Sequence, residues 1–208
     1  MSMSRGMRGT VVGLALLCVL TACSGGSNDD PGSPEGETAA TPLNPSQLSQ
    51  AMPRKVGAPE GWRGREPQVL DGAEARKLCE QQATASCAGV TALGSAIYNL
   101  EASSDTHTRF TLLAYDSVDN AKAGYKTLVA DDKEDAGTAA KALDLQPSGA
   151  DDIYGYTKDG ASVAEVRVGT VLASIAGRDL PNPDDLQTLV TLQVDRIQTA
   201  ATGKNPDA

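Results

Sequence analysis

Histidine is almost missing from this sequence, aromatic residues are scarce and basic residues are outnumbered, and each shortage removes a class of function. His107 is the only histidine, so multi-histidine metal sites are excluded and a serine hydrolase has one possible base. One Trp, one Phe and five Tyr leave the core to Leu, Val, Ile and Ala. Lys and Arg number 18 against 27 Asp and Glu, a net charge of −9. No basic run is longer than Arg54-Lys55 or Arg76-Lys77, and a nucleic-acid partner is excluded because displacing phosphate counterions takes clustered cations.

What is present begins with an N-terminal signal. Arg5 and Arg8 precede an apolar run from Val11 to Leu20, and Leu20-Thr21-Ala22-Cys23 follows the pattern of a lipobox. The run is about ten residues where a membrane span needs roughly 20, so residues 1–22 read as a lipoprotein signal peptide that leaves Cys23 as the lipidated N-terminus. An ordinary cleaved signal with a chance cysteine is the alternative. Loss of residues 1–22 removes two basic residues and no acid, which takes the net charge to about −11 by side-chain counting. Residues 23–43, rich in Gly, Ser, Asp, Pro, Glu and Thr, read as the lipidated cysteine and a disordered tether.

Of four cysteines, Cys18 lies inside the apolar run and Cys23 is the lipid site. The remaining pair, Cys79 and Cys87, stands in a chain read as extracytoplasmic and is expected to form a disulfide, worth about 2.5 kcal/mol for so short a loop. Zinc is the alternative, but the chain offers too few ligands.

Along the domain, read as residues 44–201, Asn44, Pro45 and Gln47 announce a capped helix carrying Leu48, Ala51 and Met52. Gly57 to Pro67 is turn-rich around Trp62, and Asp71 with Glu74 reads as a second capping box opening a helix to about Gln82. From Thr91 the period becomes two. Ala96, Tyr98 and Leu100, then Phe110, Leu112 and Ala114, give two antiparallel strands joined by the polar turn from Ser103 to Thr106. Asp116 or Ser117 caps a helix whose face is Val118, Ala121, Tyr125, Leu128 and Val129, with the acidic cluster Asp131, Asp132, Glu134 and Asp135 expected after it as a solvated terminus.

Gly169-Thr170 reads as a two-residue turn with Gly first, which sets Val168 opposite Val171 and makes every apolar position meet another. Lys158-Asp159-Gly160 reads as a three-residue loop, which would place Tyr154 and Tyr156 on the same face as Ala164. Asn182, Pro183 and Asp185 open a last helix carrying Leu186, Leu189, Val190, Val194 and Ile197. Residues 202–208 read as a disordered tail. The fold expected is α+β, a single domain with one antiparallel sheet of about five strands and helices packed against it.

Catalytic equipment is hard to find. His107 beside Ser103, Ser104 and Asp105 has the composition of a triad, but also that of any polar turn. Gly155 to Ser162 carries phosphate-loop glycine spacing, but Ala161 stands where the Lys must be. The acidic run at Asp131 lacks the calcium-loop pattern. No enzyme, metal or cofactor is therefore expected.

Val166 to Leu172, the proline-rich turn before the helix Leu186 to Ile197, its Gln193-Val-Asp-Arg196 and the Gly61-Trp62 segment resemble the small cell-surface lipoproteins of actinobacteria. Some of these are akin to the extracellular sensor domains of membrane Ser/Thr protein kinases and to the mycobacterial LpqN-type lipoproteins. The resemblance spans about residues 44 to 200. It implies two disulfides around a cleft, of which this chain can form one, and brings no catalytic residues. The expectation is a lipid-anchored, non-enzymatic ligand-binding or sensing domain at the outer face of the cell membrane, using a groove between the sheet and Trp62 with Tyr154 and Tyr156 nearby. Its partners would be the membrane, through the anchor, and a small ligand or protein. A scaffold lipoprotein docking a membrane or secreted partner is the alternative, and a hydrolase using His107 a remote one.

Overall fold

The computed structural model describes residues 41–208, apart from residues 83, 84, 104 and 183. The signal segment, Cys18, Cys23 and residues 24–40 of the tether lie outside the described residues, as do Ser104 and Pro183. The elements are α1 (Pro45–Ala51), β1 (Trp62–Gly64), β2 (Gln68–Asp71), α2 (Gly72–Gln82), β3 (Val90–Leu100), β4 (His107–Tyr115), α3 (Val118–Ala136), β5 (Lys141–Ala142), β6 (Asp152–Lys158), β7 (Ala161–Val168), β8 (Val171–Arg178) and α4 (Asp185–Ala201). One antiparallel sheet runs in the order β1-β3-β4-β8-β7-β6-β5, with β2 also paired to β3. The architecture is α+β.

The sheet has eight strands, not about five. The five long ones, β3, β4, β6, β7 and β8, are those whose alternation is visible. β1, β2 and β5 are 3, 4 and 2 residues long, too short to show a period; they are strands because they complete the ladders of β3 and β6.

Each face of the sheet carries its own core. On the first, Ala96, Tyr98, Phe110, Leu112, Ala164, Val166, Ala173 and Ile175 are buried under α1 and α4 with Leu48, Met52, Leu186, Leu189, Val190, Val194 and Ile197. The turn at Gly169 holds the expected register, with Val168 opposite Val171, Val166 opposite Ala173 and Ala164 opposite Ile175. Asn44 caps α1 as expected, its side chain accepting from the Gln47 N–H while Gln47 bonds back to the Asn44 N–H.

The Gln193 to Arg196 signature joins the two helices. Gln193 Nε2 donates to Ala51 O at 3.0 Å, and Arg196, 4% exposed, donates to the carbonyls of Gln50, Ala51 and Met52. These are the C-terminal carbonyls that a helix cannot satisfy by itself. Asp207 neutralises the guanidinium at 2.6 Å, so the segment expected as a structureless tail folds back on α4. Leu43, assigned to the tether, is buried in the same core.

One expectation about the β6–β7 turn is overturned. Lys158 pairs with Ala161, leaving a two-residue turn in which Asp159 and Gly160 take φ of 50° and 78°. Asp tolerates that left-handed backbone and Gly adopts it freely, and the pair matches the twist of a hairpin better than a longer loop. The shorter turn shifts the register by one, so Tyr154 faces Glu165 and Tyr156 faces Val163, on the face opposite Ala164.

Candidate functional site

The second face carries rows of residues in register across the strands. Leu70, Leu93, Leu113 and Leu172 form one row. The next is Gln68, Ser95, Thr111, Ser174, Glu165 and Tyr154, a polar row across six strands. A third holds Ile97, Arg109, Ala176, Val163 and Tyr156.

Two helices cover this face incompletely. α2 packs on β2 and β3, where Ala75 and Cys79 join the buried cluster of Val90, Leu93, Leu113, Tyr115 and Leu172. The Cys79–Cys87 disulfide forms as expected, with Cα atoms 5.9 Å apart, and ties the end of α2 to the approach of β3. α3 packs on β4, β7 and β8. It approaches closely because Gly124 has no Cβ, which leaves room for the Tyr115 hydroxyl, itself donating to Ser86 O at 2.9 Å.

Between the helices lies a groove of about 820 Å³, within the size range of small-molecule sites. Leu78 and Gln82 of α2, with Ala85, form one wall and Leu128 of α3 the other. The floor is the middle of the leucine row, the hydroxyls of Ser95, Thr111 and Ser174, and Arg109 at the far end. It is hollow because three short side chains stand in succession where neither helix reaches.

The polar row continues under α3 into a pair of acids. Glu165 is 1% exposed, and its Oε1 accepts from Ser174 Oγ at 2.8 Å. Its other oxygen faces Asp132, and the two carboxyls hydrogen-bond each other only when one holds a proton. With both ionised, Glu165 Oε2 and Asp132 Oδ2 are buried without a donor. Burial first, and then the facing carboxylate, push Glu165 well above the usual carboxylate range. Burial chiefly raises Asp132 to about 6. The acidic cluster therefore does not follow α3 as a wholly solvated terminus: the helix continues through it to Ala136, and Asp132 is turned toward the sheet.

Arg167, 3% exposed on the same face of β7, does not relieve Glu165. Its Nε bonds Asp152 at 2.6 Å, and its Nη1 bonds Asp151 at 3.1 Å and the Gly169 carbonyl at 2.9 Å. Tyr154 and Tyr156, ring centres 5.7 Å apart, flank the acid pair, with Lys133 Nζ 4.9 Å from the centre of the Tyr154 ring. Burial and the nearby acids push the Tyr125 and Tyr156 hydroxyls up to about 12.

The structure does not bring the expected aromatic site together. Trp62 stands on β1 and packs against the first-face core, five strands away from Tyr154 and Tyr156 on the opposite face. His107 opens β4, its Nδ1 3.1 Å from the Asp105 carbonyl, while the Ser103 hydroxyl accepts from Thr106. Among the described residues no cluster of three or more His, Cys, Asp or Glu could hold a metal, and no helix is long and apolar enough to cross a membrane. The groove residues escape a reading of the sequence because Gln68 and Ser174 are far apart in the chain. The one available signal is that Ser95, Thr111, Glu165 and Ser174 interrupt strands whose other residues are mostly apolar.

No protein-family model matches the chain, and no curated protein matches it. Among solved structures, it is similar to the extracellular domain of PknH from Mycobacterium tuberculosis, at a TM-score of 0.51 and 13% identity over 77% of this chain and 99% of that one. At that identity the likeness is one of fold alone, and it extends over 77% of this chain.

Proposed function

We propose that this chain is a non-enzymatic ligand-binding or sensing domain on the extracytoplasmic side of a cell membrane, held there by a lipid on Cys23, and that the α2–α3 groove is where its ligand sits. The groove carries the reading: a hollow of about 820 Å³ on a sheet floor, apolar at one end and lined at the other by hydroxyls, amides and Arg109. The fold shared with an extracellular domain and the Cys79–Cys87 bond, a chemistry of oxidising compartments, support the location. The lipobox pattern supports the anchor.

The test is a thermal-shift panel of cell-wall fragments, fatty acids and secreted peptides on the full chain and on Thr111→Trp, whose indole fills the groove. A ligand at 100 times its Kd stabilises by about 2.7 kcal/mol, or roughly 5–10 °C in a domain of this size. The shift is expected in the native chain and not in Thr111→Trp. A panel without any shift, or shifts that survive the substitution, contradict the reading. Incorporation of labelled palmitate, lost in Cys23→Ser, tests the anchor.

A further inference from the structure

The lining of the groove specifies a ligand class, on the reading that the groove binds a ligand at all. Its inner part is apolar, where the buried row of Leu93, Leu113 and Leu172 meets half-buried Leu78 and Leu128 on the walls. Two residues along each strand the floor becomes hydroxyl-bearing, and two residues further along β4 stands Arg109. Four residues of strand separate Leu113 from Arg109, about 13 Å.

Arg109 is exposed, is the only charged residue lining the groove and has no ion pair among the described residues, in a chain of net charge −9. Ser174 has committed its proton to Glu165, which leaves the hydroxyls of Ser95 and Thr111 as donors beside the guanidinium. One cation flanked by two hydroxyl donors suits an oxyanion, and the leucine end suits a hydrocarbon.

We propose that the groove binds a free single-chain amphipathic anion, with its alkyl chain against Leu78, Leu128 and Leu172 and its head group on Arg109. Two acyl chains side by side have no second apolar strip to lie on, so the occupant is a monoacyl molecule and not a bilayer lipid.

The experiment is isothermal calorimetry of the full chain with octanoate, decanoate and dodecanoate below their micelle concentrations, and with decyl glucoside and acetate as the neutral-head and chainless comparators. Arg109→Gln, Arg109→Lys and Thr111→Trp are measured alongside, with circular dichroism to establish that each is folded. Affinity is expected to rise about two- to fourfold per added methylene. Arg109→Gln should weaken decanoate at least tenfold, Arg109→Lys less, and neither should alter decyl glucoside.

Decanoate binding that is unchanged in Arg109→Gln overturns the proposal, as does tighter binding of the neutral amphiphile. Association with phosphatidylglycerol vesicles but not with monomeric decanoate also overturns it. If cell-wall fragments bind the native chain and not Thr111→Trp while no amphiphile binds, the ligand class falls and the groove reading stands. If nothing binds in a Thr111→Trp-sensitive way, both fall.

Discussion

Replacing Glu165 with Gln should make this protein more stable at neutral pH, although Glu165 is among its most buried residues. The carboxylate faces Asp132 and has one oxygen with no donor when both acids are ionised. Two charges 4 Å apart repel by about 4 kcal/mol at an effective dielectric constant of 20, so one of the pair keeps a proton in the folded state and loses it on unfolding. For Asp132 the value rises from 3.8 to about 6, which linkage converts to about 3 kcal/mol and solvent access to its half-buried carboxyl reduces to roughly 1.5 kcal/mol. An acid whose pKa is higher when folded contributes stability that is fully present below its unfolded pKa, near 4. That stability is lost as pH rises through the folded value, so the native chain should weaken between about pH 4 and pH 6.5. In Glu165→Gln the amide still accepts from Ser174 and now donates to Asp132, so the variant should gain about 1–3 kcal/mol at pH 7.5 and change little at pH 4. Urea unfolding from pH 4 to 8, followed by the fluorescence of the single Trp62, reads this directly. Glu134→Gln, exposed on the same helix, removes the same charge and should leave the slope unchanged. A Glu165→Gln protein that is less stable at pH 7.5, or whose stability follows the native pH slope, refutes the reasoning.

Arg196→Ala should cost about 3–5 kcal/mol in urea midpoint analysis, because it strands Asp207 and three backbone carbonyls of the α1 terminus. Asp207 is held below the usual carboxylate range by Arg196, so the contribution of this pair is present above about pH 4 and fades as pH falls further, opposite in sign to that of Glu165. Reduction of Cys79–Cys87 should lower stability by about 2.5 kcal/mol, measured with and without dithiothreitol. Gly94→Ala should be destabilising by about 1–3 kcal/mol, since a Cβ there would lie 2.5 Å from Met52 Sδ in the first-face core; the thermal midpoint checks it.

The fold was legible where an element repeats long enough to show a period or closes on a distinctive cap. Asn44 with Gln47, the alternation through Phe110 and Leu112, and the Gly169-Thr170 register all correspond to observed geometry. Three strands of 2–4 residues were illegible because pairing, not propensity, makes them strands. The Asp159-Gly160 turn departs from the three-residue loop the sequence suggests: burying Tyr154 and Tyr156 in the first core favours the longer loop, but the second face has its own cover in α3. That also explains Asp132 and Glu165: an acid near the end of a helix, or between Ala164 and Val166 in a strand, has the same sequence context whether it meets water or another acid. The groove itself depends on four strands and two helices meeting, and no local pattern encodes it.

That the chain is a binding domain whose site is the α2–α3 groove can be checked by amide chemical-shift maps of the full chain titrated separately with decanoate and with the cell-wall fragments and secreted peptides of the panel. The account predicts saturable shifts concentrated at Ser95, Arg109, Thr111, Leu128 and Ser174, absent in Thr111→Trp. Shifts confined to residues 1–40, scattered over the first-face helices α1 and α4, or missing with every one of these titrants would overturn the groove reading, while shifts with the fragments or peptides and none with decanoate would overturn only the ligand class.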